Sequence, residues 1–170
     1  MAAIGTLRAQ RHRRSGALSQ MLFLGILIIA LAFARPVSAQ VTTMRGLDFG
    51  LLLPGIPKTI LPTDAAAAQW RYRPLLTLLL NVSFTLPTSL SRVGGGGSLP
   101  ISFCSTCAIY RINSDNPSGG VTFNPETGAH NLSITLLSNI YFWLGAVVSP
   151  TVSQPAGSYS GTVTITLAIL

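Results

Sequence analysis

The chain reads as an all-β protein, an antiparallel β-sandwich behind an amino-terminal export signal. Three observations predict this. Apolar and polar residues alternate with period two in one segment after another, as a strand with one covered face requires. Clusters of Pro, Gly, Asn and Ser punctuate those segments at short intervals. Only 9% of the 170 residues are charged, and the abundance of Ser and Thr beside Leu, Val and Ile is what two packed sheets need rather than an α/β layer.

Residues 1–39 read as an address. Arg8, Arg11, Arg13 and Arg14 form a basic head, an apolar run follows from Met21 to Ala34, and Val37-Ser38-Ala39 places small residues where a signal peptidase reads. Cleavage is expected between Ala39 and Gln40. The competing reading is a retained anchor, because Ser15 to Ala34 is an uncharged stretch of 20 residues, long enough to span a bilayer. Arg35-Pro36 and the cleavage pattern favour removal. The membrane is then met only through the signal peptide, and the protein is exported to the periplasm, the cell surface or the medium.

Removal changes the charge argument. Five of the 11 Lys and Arg precede Gln40 while all four acids follow it, so six basic residues against four acids leave +2 on residues 40–170. The high overall charge therefore belongs to the signal, and Arg71, Arg73, Arg92 and Arg111 form no basic stripe. Nucleic-acid binding is not expected. Taking 39 residues from 170 leaves 131, one sandwich domain with room for a core of its own.

The elements follow in order. Leu47 and Phe49 lead a short strand, and Leu51 to Ile60 is broken by Pro54, Gly55 and Pro57. Thr63 to Trp70 is the one stretch with helical character, with Thr63 or Asp64 as cap, and is expected as a loop or a single turn. Leu76, Leu78, Leu80, Val82, Phe84 and Leu86 share one face of a long strand, whole or broken near Asn81, that Pro87 stops. Gly94 to Gly97 form a flexible loop. Leu99, Ile101 and Phe103 resume the alternation, and Ile109 to Ile112 are expected to return beside them. After the turn cluster Asp115 to Gly120 come strands at Val121 to Phe123 and Leu132 to Leu136. Ile140 to Leu144 is continuously apolar and is expected as a central strand, with Gly145 to Gln154 connecting it to the last one. There Val163, Ile165, Leu167 and Ile169 face one way and Thr162, Thr164 and Thr166 the other, after a turn at Gly157, Tyr159 and Gly161. Tyr159 suits a corner tyrosine whose hydroxyl ties the preceding loop to the sheet.

Cys104-Ser105-Thr106-Cys107 is the whole cysteine content. A thioredoxin-type site needs this motif at a helix start, and these flanks read as strands. Residues three apart in an extended chain lie about 10 Å apart, too far for a bridge that needs roughly 4.4 to 6.8 Å. A disulfide therefore requires Ser105-Thr106 at the centre of a tight turn, which would close a hairpin. Export favours a structural disulfide, with free thiols or a metal or redox role as the other readings. Metal binding lacks company, since His130 is the only histidine after Gln40, and no metal or cofactor is expected.

Catalysis is not expected either. His130 sits in a turn-like context, and Asp48, Asp64, Asp115 and Glu126 show no spacing that pairs carboxylates. Trp70, Tyr72, Tyr110, Tyr141, Phe142, Trp143 and Tyr159 could line a sugar-binding surface, but most lie in apolar-periodic stretches and read first as core. The sequons at Asn81 and Asn131 fall inside strands.

Gly46-Leu47-Asp48-Phe49-Gly50 with Pro54-Gly55, Ser83 to Pro87, Trp143-Leu144-Gly145 with Pro150 and Gln154, and Ala156 to Gly161 form an ordered set. With it the chain resembles the secreted bacterial family called domain of unknown function 4402, over essentially all of Gly46 to Leu170. More distantly it is similar to spore coat protein U and to chaperone-usher pilin subunits. The resemblance implies an Ig-like sandwich and a non-enzymatic structural or adhesive role at the cell surface, by association of strands and loops. The partners it implies are further copies, other surface subunits or a periplasmic chaperone. Gly157 stands fourteenth from the end, as in pilins, whereas Ile169 stands where pilins carry an aromatic. Val41 to Arg45 alternates poorly for a donor strand. The terminal strand is thus expected first to complete its own core and second to serve as an assembly edge. A monomeric binding module for a surface polysaccharide or peptide is the alternative function, and a metal or redox protein the third.

Overall fold

Thirteen short strands make up the computed structural model, which describes residues 41–74, 78–128, 130–134 and 138–170. The expected signal peptide and its cleavage point at Ala39 and Gln40 lie outside the described residues, as do Leu76 and the end of the strand expected over Leu132 to Leu136. The strands are β1 (Val41–Arg45), β2 (Lys58–Ile60), β3 (Ala68–Tyr72), β4 (Leu78–Thr85), β5 (Ser89–Arg92), β6 (Ser98–Ser102) and β7 (Ala108–Ile112). Then come β8 (Val121–Phe123), β9 (His130–Ile134), β10 (Ile140–Leu144), β11 (Ala146–Val148), β12 (Tyr159–Ser160) and β13 (Thr164–Ile169).

Three sheets carry the orders β1-β3-β10-β7-β8, β12-β5-β6-β11-β2 and β13-β4-β9, with every pairing antiparallel. The protein is an all-β antiparallel sandwich, as the alternation predicts. Ile140 to Leu144 is the central strand of the first sheet, between β3 and β7. Its Phe142 stands opposite Trp70 on one side and Tyr110 on the other. Leu80, Val82 and Leu132 from the β4–β9 sheet join Trp70, Phe142 and Leu144 in one core. Phe84 closes the gap between the layers, its ring 5.8 Å from Trp70 and 6.1 Å from Phe123. Burial pushes the Tyr72 phenol above its ordinary value of 10.0, because the phenolate would lose water there.

Short strands that follow one another in line, β10 into β11, link one sheet to the next. β10 does not end at Gly145: the chain runs straight on into β11, so the expected connection from Gly145 onward is a strand for three of its residues. Partners on both sides follow the same line. On one side Leu144 pairs with Ala68 and Ala146 with Ile60, while 61–67 loop out. On the other, Leu144 pairs with Ala108 and Val147 with Ser102, while 103–107 loop out. Gly145 sits at the crossing, where an added Cβ would lie 2.2 Å from the Ile60 carbonyl oxygen and 2.8 Å from Leu61 C and Pro62 N.

This arrangement corrects the expected hairpin at the cysteines. β6 and β7 do not pair with each other; they continue in one direction along β11 and β10. The tight turn is present, with Cys107 N–H donating to Cys104 O at 3.0 Å, but it closes a bulge in one strand line. Cys104 and Cys107 are bridged there with Cα atoms 4.9 Å apart. A disulfide across so short a ring is worth about 2 kcal/mol on loop-closure grounds. Cys104→Ser with Cys107→Ala is therefore expected to lower the unfolding free energy by that amount and to shift the urea midpoint down accordingly; an unchanged midpoint would show that the bulge holds its shape unaided.

Two further expectations change in part, and a first segment takes a form the sequence left open. Val41 to Arg45 forms β1, paired with β3 through a register shift between Thr43 and Arg45, although it alternates poorly. Its side chains after Val41 are exposed, so neither face had to be apolar. The stretch 62–67 holds only turns, as expected, while Ala68, Gln69 and Trp70, placed in the same stretch, belong to β3. Asp64 caps backward, its carboxylate accepting the Leu61 N–H at 2.8 Å. Leu47 and Phe49 form no strand; Phe49 is buried from a loop whose Asp48 N–H donates to Ala66 O.

Candidate functional site

The open side of the sandwich lies between the segment after β1 and the segment that leads into β13. A cleft of about 800 Å³ runs there. Its floor is core: Trp70, Leu90, Leu99 and Ile101. One wall is the loop from Gly46 to Leu52, the other Gly157 to Val163. Arg45 and Asp48 line the same cleft, but each is engaged: Arg45 Nε donates to Ala67 O at 3.1 Å and the Asp48 carboxylate accepts the Gly50 N–H at 2.8 Å. The rest of the lining mixes apolar side chains with hydroxyl-bearing ones, Ser158, Ser160 and Thr162 among them.

The turn at the head of the terminal strand is tightly built. Tyr159 Oη donates to Pro155 O at 2.7 Å and accepts from Gln154 Nε2 at 2.6 Å, while the same amide reaches Ser98 O at 3.1 Å. The hydroxyl thus ties the preceding loop to the sheet. Gly157 has φ +147° and its absent Cβ leaves room for the Arg92 guanidinium, whose Nε would otherwise lie 2.7 Å away. Arg92 uses that room to donate to Ala156 O at 2.9 Å. At Gly161 an added Cβ would meet a Leu90 methyl at 2.7 Å. Tyr159→Phe removes both hydroxyl bonds and is expected to cost about 1.5 kcal/mol in urea unfolding; equal stability would mean that the corner is held by Arg92 alone.

From this anchor the strand runs along β4 with Thr164 opposite Thr85 and Ile169 opposite Leu80. Val163, Ile165 and Leu167 are half-buried and pack against the core, whereas Ile169 is 64% exposed. Thr164, Thr166 and Ala168 are exposed on the outer face. Among the described residues β13 pairs only with β4, so its other edge has no strand partner among them.

The remaining candidates are placed elsewhere. His130 opens β9 instead of a turn, half-buried, with its ring 4.5 Å from Phe123 and Nε2 3.1 Å from Asn124 O. Asp115 accepts a hydrogen bond from the buried Gln69, bringing the 113–120 loop onto β3. Trp70, Tyr72, Phe142 and Trp143 are buried, and Tyr141 stacks on Trp143 at 6.0 Å. Asn81 and Asn131 face each other across β4 and β9, one amide donating to the other at 2.9 Å. Among the described residues no three His, Cys, Asp or Glu side chains converge, and no helix is long and apolar enough to cross a membrane. The cleft itself was not foreseen: its walls come from residues 46–52 and 157–163, which no local pattern relates.

No family model matches the chain, and no curated protein matches it.

Proposed function

We propose that this chain is an exported, non-enzymatic structural or adhesive subunit of the cell surface, of the pilin or spore-coat kind, that acts by association of β-strands and loops. The observation that carries the reading is the edge of β13 away from β4, which pairs with no strand among the described residues and follows directly on the Gly157 to Val163 wall of the cleft. Such an edge, presenting backbone donors and acceptors beside half-covered apolar side chains, is a template for a further strand. The cysteine bridge supports export, because such bonds persist in oxidising compartments. Partners are further copies of the chain or other surface subunits, with a periplasmic chaperone covering the edge beforehand. The test is fractionation and cross-linking on intact cells, followed by electron microscopy of the released material. Recovery in high-mass surface species is expected; a cytoplasmic protein, or one that stays monomeric on the cell, overturns the reading.

A further inference from the structure

We infer that the partner on this edge is a second copy of the chain, joined by antiparallel pairing of β13 with β13 about a two-fold axis through Thr166. The inference rests on the association reading and specifies its partner and register.

Self-complementarity carries the argument. No Asp, Glu, Lys or Arg occurs after Glu126, so two copies of this edge meet without opposed like charges. The other outer strands are less suitable: β1 has a register shift and carries Arg45, β2 and β8 have three residues each, β12 has two, and β9 has five and opens on His130, whose ring is held against Phe123. By contrast, β13 runs six residues against β4 without a shift. It has none of the devices that blunt an edge, neither proline nor bulge nor charge.

The backbone phase fixes the register. Leu170 N–H donates to Leu79 O at 2.9 Å, so even-numbered residues of this strand turn their amide groups toward β4 and odd-numbered ones turn theirs outward. Ile165 and Leu167 therefore hold the outward donors and acceptors. An axis through Thr166 sets Ile165 opposite the partner's Leu167, a pair that exchanges both N–H···O=C bonds. It also sets Val163 opposite the partner's Ile169, which covers the most exposed apolar side chain of the strand. Thr166 meets the partner's Thr166 in the close, non-hydrogen-bonded position, where Cα atoms stand about 4.5 Å apart.

That spacing lies within disulfide range, which gives the test. The purified chain, as processed by the expressing cell, is expected to sediment as a dimer. Thr166→Cys is expected to cross-link to itself on oxidation, whereas Thr164→Cys and Ala168→Cys cross-link only when mixed. Thr166→Lys opposes two ammonium groups and is expected to raise the dimer dissociation constant about tenfold or more. Because the Thr166 side chain is exposed, the melting temperature of the isolated subunit should not change. A dimer or larger assembly in which Thr166→Cys fails to cross-link overturns this pairing while leaving association through another surface standing. A strict monomer at every concentration, free of high-mass species on cells, overturns both.

Discussion

Gly145→Ala is expected to destabilise the fold by about 3 kcal/mol, lowering the melting temperature by roughly 10 °C for a domain of this size. The added methyl would sit 2.2 Å from the Ile60 oxygen and 2.8 Å from Leu61 C and Pro62 N, all of them backbone atoms. A side chain could rotate away; a peptide plane cannot without breaking the β2–β11 pairing. Gly145 cannot retreat either, since its N–H donates to Cys107 O at 2.8 Å on the opposite side. The residue is held between two looped-out segments at the point where the central strand changes sheets. Thermal unfolding followed by tryptophan fluorescence measures the effect, and a change below about 1 kcal/mol would mean that the 61–67 loop moves aside freely.

Phe142→Ala is expected to cost about 4 kcal/mol. The ring is fully buried in the middle of the central strand, opposite Trp70 and Tyr110 on the two neighbouring strands. Those neighbours are pinned by their own ladders and pack in turn on Phe84 and Phe123, so the space left behind closes only in part. With total stability of a small domain at roughly 5–15 kcal/mol, such a loss removes much of the margin. The urea midpoint should fall sharply at an unchanged slope. Val152→Ala, on a side chain 87% exposed, serves as the control and should change almost nothing.

The strands with the clearest alternation were legible because their signal is local. In β6 the burial follows the sequence pattern residue by residue, with Leu99 and Ile101 inside and Ser98, Pro100 and Ser102 outside. The same held for Leu80 and Val82 in β4, which runs unbroken through Asn81. Val41 to Arg45 offers no alternation to read, because an outer strand with little covered surface needs none. The alanines before Trp70 suggested a helical turn by propensity, but pairing of Ala68 and Gln69 with β10 outweighs so small a preference.

At the cysteines, the tight turn is legible in the sequence and its consequence for the path of the chain is not. A tight turn between two strand-like flanks looks the same whether the chain folds back or bulges and continues. Only the partner strand distinguishes them, and that partner lies more than 30 residues away in the sequence. Gly145 is a similar case. As a glycine after an apolar run it reads as a stop, whereas its role is to let two backbones pass at close range.

By itself the amino-acid sequence determined the all-β class, the central apolar strand, the tyrosine-anchored turn and the alternating terminal strand, since each depends on neighbours along the chain. Only the tertiary structure decided which strands run on through the sheet crossing and where the sandwich stays open. The physical reason is that a strand satisfies its hydrogen bonds outside itself. Its own residues can state that it needs a partner and which face must be covered, but the partner, the register and the edge left over are settled when distant segments meet.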